Sequence, residues 1–312
     1  MKAAQISEYG DPSVVKVVEV DKPSPKEGQV LVEIHASSLN PFDTTVRSGK
    51  VKDSIPLQLP VTLGGDIAGV VVELGKAVSG LGVGDKVYGQ AAVVAGNSGA
   101  FAEYAVTKAG QIAKAPNNLD FKEAASLPLV GVSALQALTE HIKLESGQKI
   151  FIHGGAGGIG TIAIQIAKSI GAYVATTATG EGIDLVKKLG ADEVIDYKSQ
   201  DFTEVLHDYH AVFDTVGGDD FNKSLGILKK SGVADSMIAK PDETKVTELG
   251  VTAMMQSTRV TTAILNTLRE LIEAGKVTPQ VGRVFTLDQI QEAFTARESG
   301  SVNGKVVIEI NN

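Results

Sequence analysis

The stretch "KIFIHGGAGGIGTIAIQIAKSIGAYVATTATGEG", residues 149–182, decides how the rest of the chain is read. It opens with an apolar, β-branched run, sets five glycines among the seven residues Gly154–Gly160, and continues into a helical pattern and a second apolar run. Within it, "GAGGIG" fits G-x-G-x-x-G with Gly155, Gly157 and Gly160. The first glycine permits a tight turn at positive φ, the second lets a pyrophosphate reach the backbone, and the third lets the helix pack closely on the strand. The helix start then offers free N–H groups and a partial positive charge, with Gly158 and Ile159 as donors. Alone the motif is weak. Between a predicted strand and a predicted helix it reads as a dinucleotide site, and the competing reading is a tight strand–helix turn without a ligand.

A site for NAD usually places Asp or Glu about 20 residues beyond the glycines to bind the ribose 2′-hydroxyl. Here "ATTATGEG" stands in that place, and Thr176, Thr177 and Thr179 offer hydroxyls without charge. Small hydroxyls leave room for a 2′-phosphate that a carboxylate would repel, so NADPH is the expected cofactor, with Thr177 among its contacts. Glu181 lies close by and the loop has no basic residue; Lys198, beside Tyr197, is the candidate positive partner.

Outward from this unit, strand-like segments at 149–153, 172–177, 193–196, 211–215, 232–237 and 252–256 alternate with helix-like ones at 121–127, 130–141, 158–170, 181–189, 219–229 and 260–274. Such alternation predicts a parallel sheet with helices on both faces, and six strands complete a doubly wound fold. The first third is different. Short apolar runs at 30–39, 66–75, 85–94 and 101–108, punctuated by Gly and Pro, predict an antiparallel, partly closed barrel. After Gly275 a strand, a short helix and the final run "GKVVIEI" cannot extend the parallel sheet, so they return to the first domain and leave the nucleotide domain as an insertion.

Composition narrows the function. The chain has 312 residues, enough for two domains, and a net charge of −8, which argues against a nucleic-acid partner. It has no cysteine, which excludes disulfides, thiolate metal sites and a cysteine nucleophile. No apolar run approaches the ~20 residues of a membrane helix, and "MKAAQISEYG" lacks a signal-peptide core; the expected location is cytoplasmic.

Several further stretches carry a resemblance: "LNPFDTTVRSG" (39–49), "LGGDIAGVVVELG" (63–75), "VGDKVYG" (83–89), "GAFAEYAV" (99–106), "AASLPLVGVSALQAL" (124–138), "GADEVIDY" (190–197) and "VFDTVGG" (212–218). With the glycine loop, they resemble the medium-chain dehydrogenase/reductase superfamily, and within it the zinc-independent quinone oxidoreductases, the zeta-crystallin-like and enone-reductase group. The resemblance implies an α/β protein: a GroES-like, partly open β-barrel catalytic domain (1–118 plus 275–312) with an inserted Rossmann domain (119–274), and cofactor in the cleft between them. It implies Asn40 and Ser133 as catalytic residues, Asn40 against the nicotinamide ribose or the substrate and Ser133 facing the nicotinamide. It also implies Tyr197 at the 2′-phosphate, with Thr215 to Gly217 lining the ribose. No metal is expected, because the metal-ligand positions hold no Cys–His pair. Some members carry a tyrosine where this chain has Thr45, so the proton donor is open.

Each assignment has a plainer alternative. Asn40 can cap a turn before Pro41, Ser133 can bond its own helix backbone, and Tyr197 can end a strand with no ligand. His153 and Asp214 read as structural groups. The implied reaction is hydride transfer from NADPH to a quinone or an α,β-unsaturated carbonyl; a catalytically weak NADPH-binding redox sensor or scaffold is the other reading. The sixth strand, 252–257, would lie exposed at the sheet edge, where two copies would pair into a homodimer.

Overall fold

Alternating apolar residues in the first third pair into antiparallel sheets. A computed structural model of the chain describes residues 1–311. The strands are β1 (Lys2–Ile6), β2 (Lys16–Glu19), β3 (Gln29–Leu39), β4 (Val61–Thr62), β5 (Asp66–Leu74), β6 (Lys86–Gln90), β7 (Tyr104–Lys108) and β8 (Ile112–Lys114). β1 lies between β2 and β4 in a small sheet, while β3 pairs with both β5 and β7 and carries the larger one. Val30, Val32, Ile34, Ile67, Val71 and Val87 point into one core, as period-2 alternation requires.

The second pattern gives β9 (Lys149–His153), β10 (Tyr173–Ala178), β11 (Glu193–Asp196), β12 (Tyr209–Asp214), β13 (Leu228–Ser236) and β14 (Thr252–Met255). They form one parallel sheet in the order β11-β10-β9-β12-β13-β14, the doubly wound arrangement expected from the sequence. β9 is central, and its Ile150–His153 stretch is buried throughout, which explains a continuous apolar run in place of alternation. The helix Gly158–Ile170 follows it and ends on Gly171 at φ 95°. This conformation carries no Cβ penalty for glycine. Two short helices, Phe202–Val205 and Glu243–Leu249, were not anticipated. Each is started by an aspartate, Asp201 or Asp242, whose side chain accepts first-turn N–H groups.

The chain then returns to the first sheet. β15 (Val281–Thr286) pairs parallel with β16 (Lys305–Glu309), and β16 pairs antiparallel with β3, completing the order β15-β16-β3-β5-β6-β8. The final strands therefore extend the first sheet, as the break in the alternating pattern predicts. Contacts divide the chain into two units. One comprises Met1–Leu129, Val260–Glu273 and the chain from Pro279 on; the other comprises Val130–Arg259 and Ala274–Thr278. The helix Thr262–Glu273 is tied to the first unit by the Tyr88 hydroxyl, which donates to the Leu265 carbonyl, and by the Thr262 hydroxyl, which donates to the Ile112 carbonyl.

Candidate active site

In the six-stranded unit, the carboxyl ends of the strands meet the glycine loop. Gly154 takes the positive φ of the turn, 85°, and its N–H donates to the Thr177 hydroxyl at 2.9 Å. The sequence placed this conformation at Gly155; the turn closes one residue earlier. Gly155 is required for a different reason: a Cβ there would collide with the Thr176 side chain. Its N–H donates to the Thr177 carbonyl at 3.0 Å, joining the loop to β10. Gly160 meets its expectation, since a Cβ would stand 2.7 Å from the Gly155 Cα. Gly157 starts the helix without a side-chain cap, and a Cβ on it would meet only the Gly154 carbonyl, at 3.3 Å. The side from which a ligand would approach is therefore open, and the first-turn N–H groups of Gly158 and Ile159 are left for it.

The threonines divide by role. Thr176 is buried and donates to the Ile152 carbonyl at 2.6 Å, and Thr177 is buried with its hydroxyl receiving the Gly154 N–H. Both fix the loop: the Thr176 hydroxyl spends its proton there, a correction to counting it among the hydroxyls offered to a ligand, while the Thr177 hydroxyl accepts and keeps its proton to donate. Thr179 is only half-buried. It lies one residue beyond the register pair Ala178↔Asp196, and Tyr197, 57% exposed, occupies the equivalent place on β11 with exposed Lys198 next to it. No carboxylate takes the end of β10.

At the end of β12, Asp214 organises the adjoining loop. Its carboxylate accepts from His153 Nδ1 (3.1 Å), the Ser236 hydroxyl (2.6 Å) and the N–H groups of Val216 (3.2 Å) and Gly217 (3.1 Å). Burial alone would push the Asp214 carboxyl up, but these donors outweigh it and hold the group below the ordinary carboxylate value. Gly217 sits at φ 80°, and Thr215 donates to the His153 carbonyl at 2.8 Å. His153 and Asp214 are thus structural partners. Ser133, fully buried, shares a hydrogen bond with the Thr258 hydroxyl at 2.7 Å. Gln256 Nε2 donates to the Ser133 carbonyl at 3.0 Å and to Thr258 at 3.1 Å.

Asn40 lies in the other unit, at the start of the helix Pro41–Arg47. Its side chain does not cap the helix. Its backbone N–H donates to Asp43 at 2.7 Å, while its Nδ2 donates to Asp66 at 2.8 Å and its Oδ1 accepts from Lys305. Asn40, Asp43, Asp66 and Lys305 are all buried. Burial is the main cause that pushes Asp43 up to about 7, the Asn40 N–H pulling against it. Burial likewise raises Asp66, with Lys305 opposing, and lowers Lys305, with Asp66 opposing. The sequence reading did not single out Lys305 or Asp43. The signal for Lys305 was a charged residue opening the apolar run "GKVVIEI". Among the described residues, no group of three or more His, Cys, Asp or Glu could hold a metal ion.

The donor set of the glycine loop fits a dinucleotide: an uncapped helix start, a Cβ-free approach at Gly157, and no carboxylate at the end of β10 to meet a 2′-phosphate. Comparison with known proteins gives the same direction. The family model described as "Alcohol dehydrogenase GroES-like domain" matches residues 26–117, and "Zinc-binding dehydrogenase" matches residues 189–308. The 2-methylene-furan-3-one reductase of Solanum lycopersicum is 37% identical over 99% of this chain and 79% of its own length. The chain belongs to the medium-chain dehydrogenase/reductase superfamily, in its zinc-independent quinone oxidoreductase group. The NADPH-dependent alkenal/one oxidoreductase, chloroplastic, of Arabidopsis thaliana is 35% identical over 99% of this chain and 79% of its own length. The structure of the quinone oxidoreductase from Coxiella burnetii superposes with a TM-score of 0.91 at 34% identity, covering 99% of each chain. This superfamily member keeps the zinc-dehydrogenase framework in a chain without cysteine.

Proposed function

We propose that this protein is an NADPH-dependent oxidoreductase that reduces a quinone or an α,β-unsaturated carbonyl without zinc. The observation that carries the reading is the uncapped helix start at Gly157–Ile159, without a Cβ at Gly157 or Gly158, above a strand end that holds threonine in place of a carboxylate. Membership of the quinone oxidoreductase group supports it. The N–H groups of Gly158 and Ile159 would bind the pyrophosphate. Gly155 and Gly160 hold strand and helix close enough to aim them, and Thr177 keeps the turn in register. Tyr197 with Lys198 would receive the 2′-phosphate, and Thr215 to Gly217, held by Asp214, would line the ribose. Ser133 and Asn40 are the groups we assign to the reacting end.

When bound, NADPH supplies a hydride. An enone takes this electron pair at its β-carbon, its π electrons move to the carbonyl oxygen, and the enolate takes a proton from water; a quinone becomes the hydroquinone by the same count. The protein's share is orientation of the acceptor and hydrogen bonding to the oxygen that gains charge.

We read β14 as the dimer contact. It is the edge of the parallel sheet and Met255 on it is exposed, so pairing of two copies would continue the sheet across a two-fold axis. A monomer mass in sedimentation at micromolar concentration would refute this. We place the protein in the cytoplasm; among the described residues, no helix is long and apolar enough to cross a membrane.

The test is a panel of 1,4-quinones, enones and simple aldehydes, each with NADPH and with NADH. The proposal expects turnover of quinones or enones with NADPH above NADH. Tight NADPH binding with no turnover of any acceptor would replace it with the sensor reading.

A further inference from the structure

The Asn40 carboxamide is held at both ends. Lys305 Nζ donates to its oxygen, and its nitrogen donates to Asp66 Oδ2 at 2.8 Å. An ammonium group can only donate, so it must face the oxygen. A carboxylate can only accept, so it faces the nitrogen. Rotating the amide by half a turn would set NH2 against ammonium and oxygen against carboxylate. The clamp is itself fixed. Lys305 also donates to the Leu39 carbonyl at 3.1 Å, and Asp66 receives the Ser38 hydroxyl at 3.0 Å and the Leu129 N–H at 3.0 Å. Strand register builds it: β16 pairs Val306 with Leu39, and β5 pairs Asp66 with Ser38, which brings Lys305 and Asp66 to either side of Asn40.

The cluster is a costly way to hold three strands. A buried ion pair is often replaceable by apolar residues of similar volume without loss of stability, and here Lys305 and Asp66 are sealed from solvent. What the charges do supply is direction. Of the two Nδ2 hydrogens of Asn40, Asp66 takes one, and no described residue accepts the second. Lys305, drawing electron density from Oδ1, strengthens that N–H as a donor.

We infer that Lys305 and Asp66 are positioning residues that lock Asn40 as a hydrogen-bond donor to the acceptor's carbonyl oxygen. The inference rests on the reading of Asn40 as a substrate contact. The oxygen gains negative charge as hydride reaches the substrate, so the donor acts more strongly in the transition state than in the ground state, and its loss falls on kcat more than on KM.

The experiment uses the NADPH-loaded enzyme and its best acceptor from the panel, with Asn40→Ala, Lys305→Met, Asp66→Asn and the double variant Asn40→Ala/Lys305→Met. Asn40→Ala should lower kcat on the order of 100-fold, the usual effect of removing one such donor. Lys305→Met should lower it about tenfold with KM nearly unchanged, and Asp66→Asn should do likewise should the methionine variant fail to fold. The double variant should be no slower than Asn40→Ala, because Lys305 acts only through Asn40. A second readout is independent of turnover. In wild-type protein carrying 15N-asparagine, with NADP+ and a saturated ketone, one Asn40 Nδ2 proton should shift on ketone binding and the other should not. Full kcat in Lys305→Met and Asp66→Asn, losses that multiply in the double variant, or a ketone that shifts neither proton would each overturn the clamp. Wild-type kcat in Asn40→Ala would instead overturn the assignment of Asn40 itself.

Discussion

Substituting Gly160 and Gly157 by alanine should separate two roles that share one short loop. At Gly160 a Cβ would stand 2.7 Å from the Gly155 Cα and closer still to the Gly154 carbonyl. Both neighbours are backbone, so no rotamer relieves the contact. Carbon atoms rest at about 3.5–4.0 Å, which means the helix must retreat by roughly 1 Å. Overpacking of this kind costs about 1–3 kcal/mol, or a melting-temperature fall of roughly 2–12 °C at about 2–4 °C per kcal/mol. The retreat also withdraws the Gly158 and Ile159 N–H groups. Charge-assisted hydrogen bonds contribute about 1.5–3 kcal/mol each, so a retreat that weakens the pair by the equivalent of one bond should lower NADPH affinity about 10- to 100-fold. At Gly157 the backbone has φ −77°, which alanine adopts freely, and the nearest atom to a Cβ is 3.3 Å away. Gly157→Ala should cost at most about 1 kcal/mol as a poorer N-cap, yet place a methyl group where the pyrophosphate must approach. Thermal melting with and without NADPH, together with titration of NADPH fluorescence, measures both. Gly160→Ala should lose stability and binding; Gly157→Ala should lose mainly binding. A Gly160→Ala protein that melts and binds like the wild type, or a Gly157→Ala protein that keeps full NADPH affinity, would show that the two glycines do not divide these roles.

Two further predictions concern charge. Asp43 is held at about 7, well above its ordinary 3.8, so its bound proton contributes stability that is complete below about pH 4 and is lost as the pH rises to about 7. Asp43→Asn can still accept the Asn40 N–H but does not titrate. Relative to the wild type it should gain roughly 2–3 kcal/mol between pH 5 and pH 8, at about 1.4 kcal/mol per pH unit of linkage; a stability difference that is flat with pH in urea unfolding would contradict this. Lys198→Ala should weaken NADPH binding about tenfold while leaving NADH nearly unchanged, the size of one charge-assisted contact to a 2′-phosphate. Equal losses for the two cofactors in parallel titrations would remove Lys198 from the phosphate site.

The parts that sequence revealed are those whose causes are local. Gly155, Gly157 and Gly160 lie within six residues, and each answers to a steric need that its neighbours in the chain create. The six parallel strands were legible because a central strand such as β9 is buried on both faces and reads as an unbroken apolar run. What stayed hidden depends on partners distant in the chain. Thr176 read as a hydroxyl offered to a ligand because only the parallel pairing of β10 with β9 sets it beside the Ile152 carbonyl. Asn40 is separated from Asp66 by 26 positions and from Lys305 by 265, and their meeting follows from strand register alone. The helices at Phe202–Val205 and Glu243–Leu249 are too short to show a period, and their aspartate caps were their only marks in the sequence.

In the proposed reaction two electrons pass as a hydride from NADPH to an electrophilic carbon. The most direct test is to run the enzyme with NADPH deuterated at C4 of the nicotinamide, in separate samples for the two faces, and an enone acceptor in ordinary water. Deuterium from one face alone should appear at the β-carbon of the saturated product, with the α-hydrogen drawn from water. Product without deuterium from either sample, or NADPH consumed with no reduced enone formed, would contradict it.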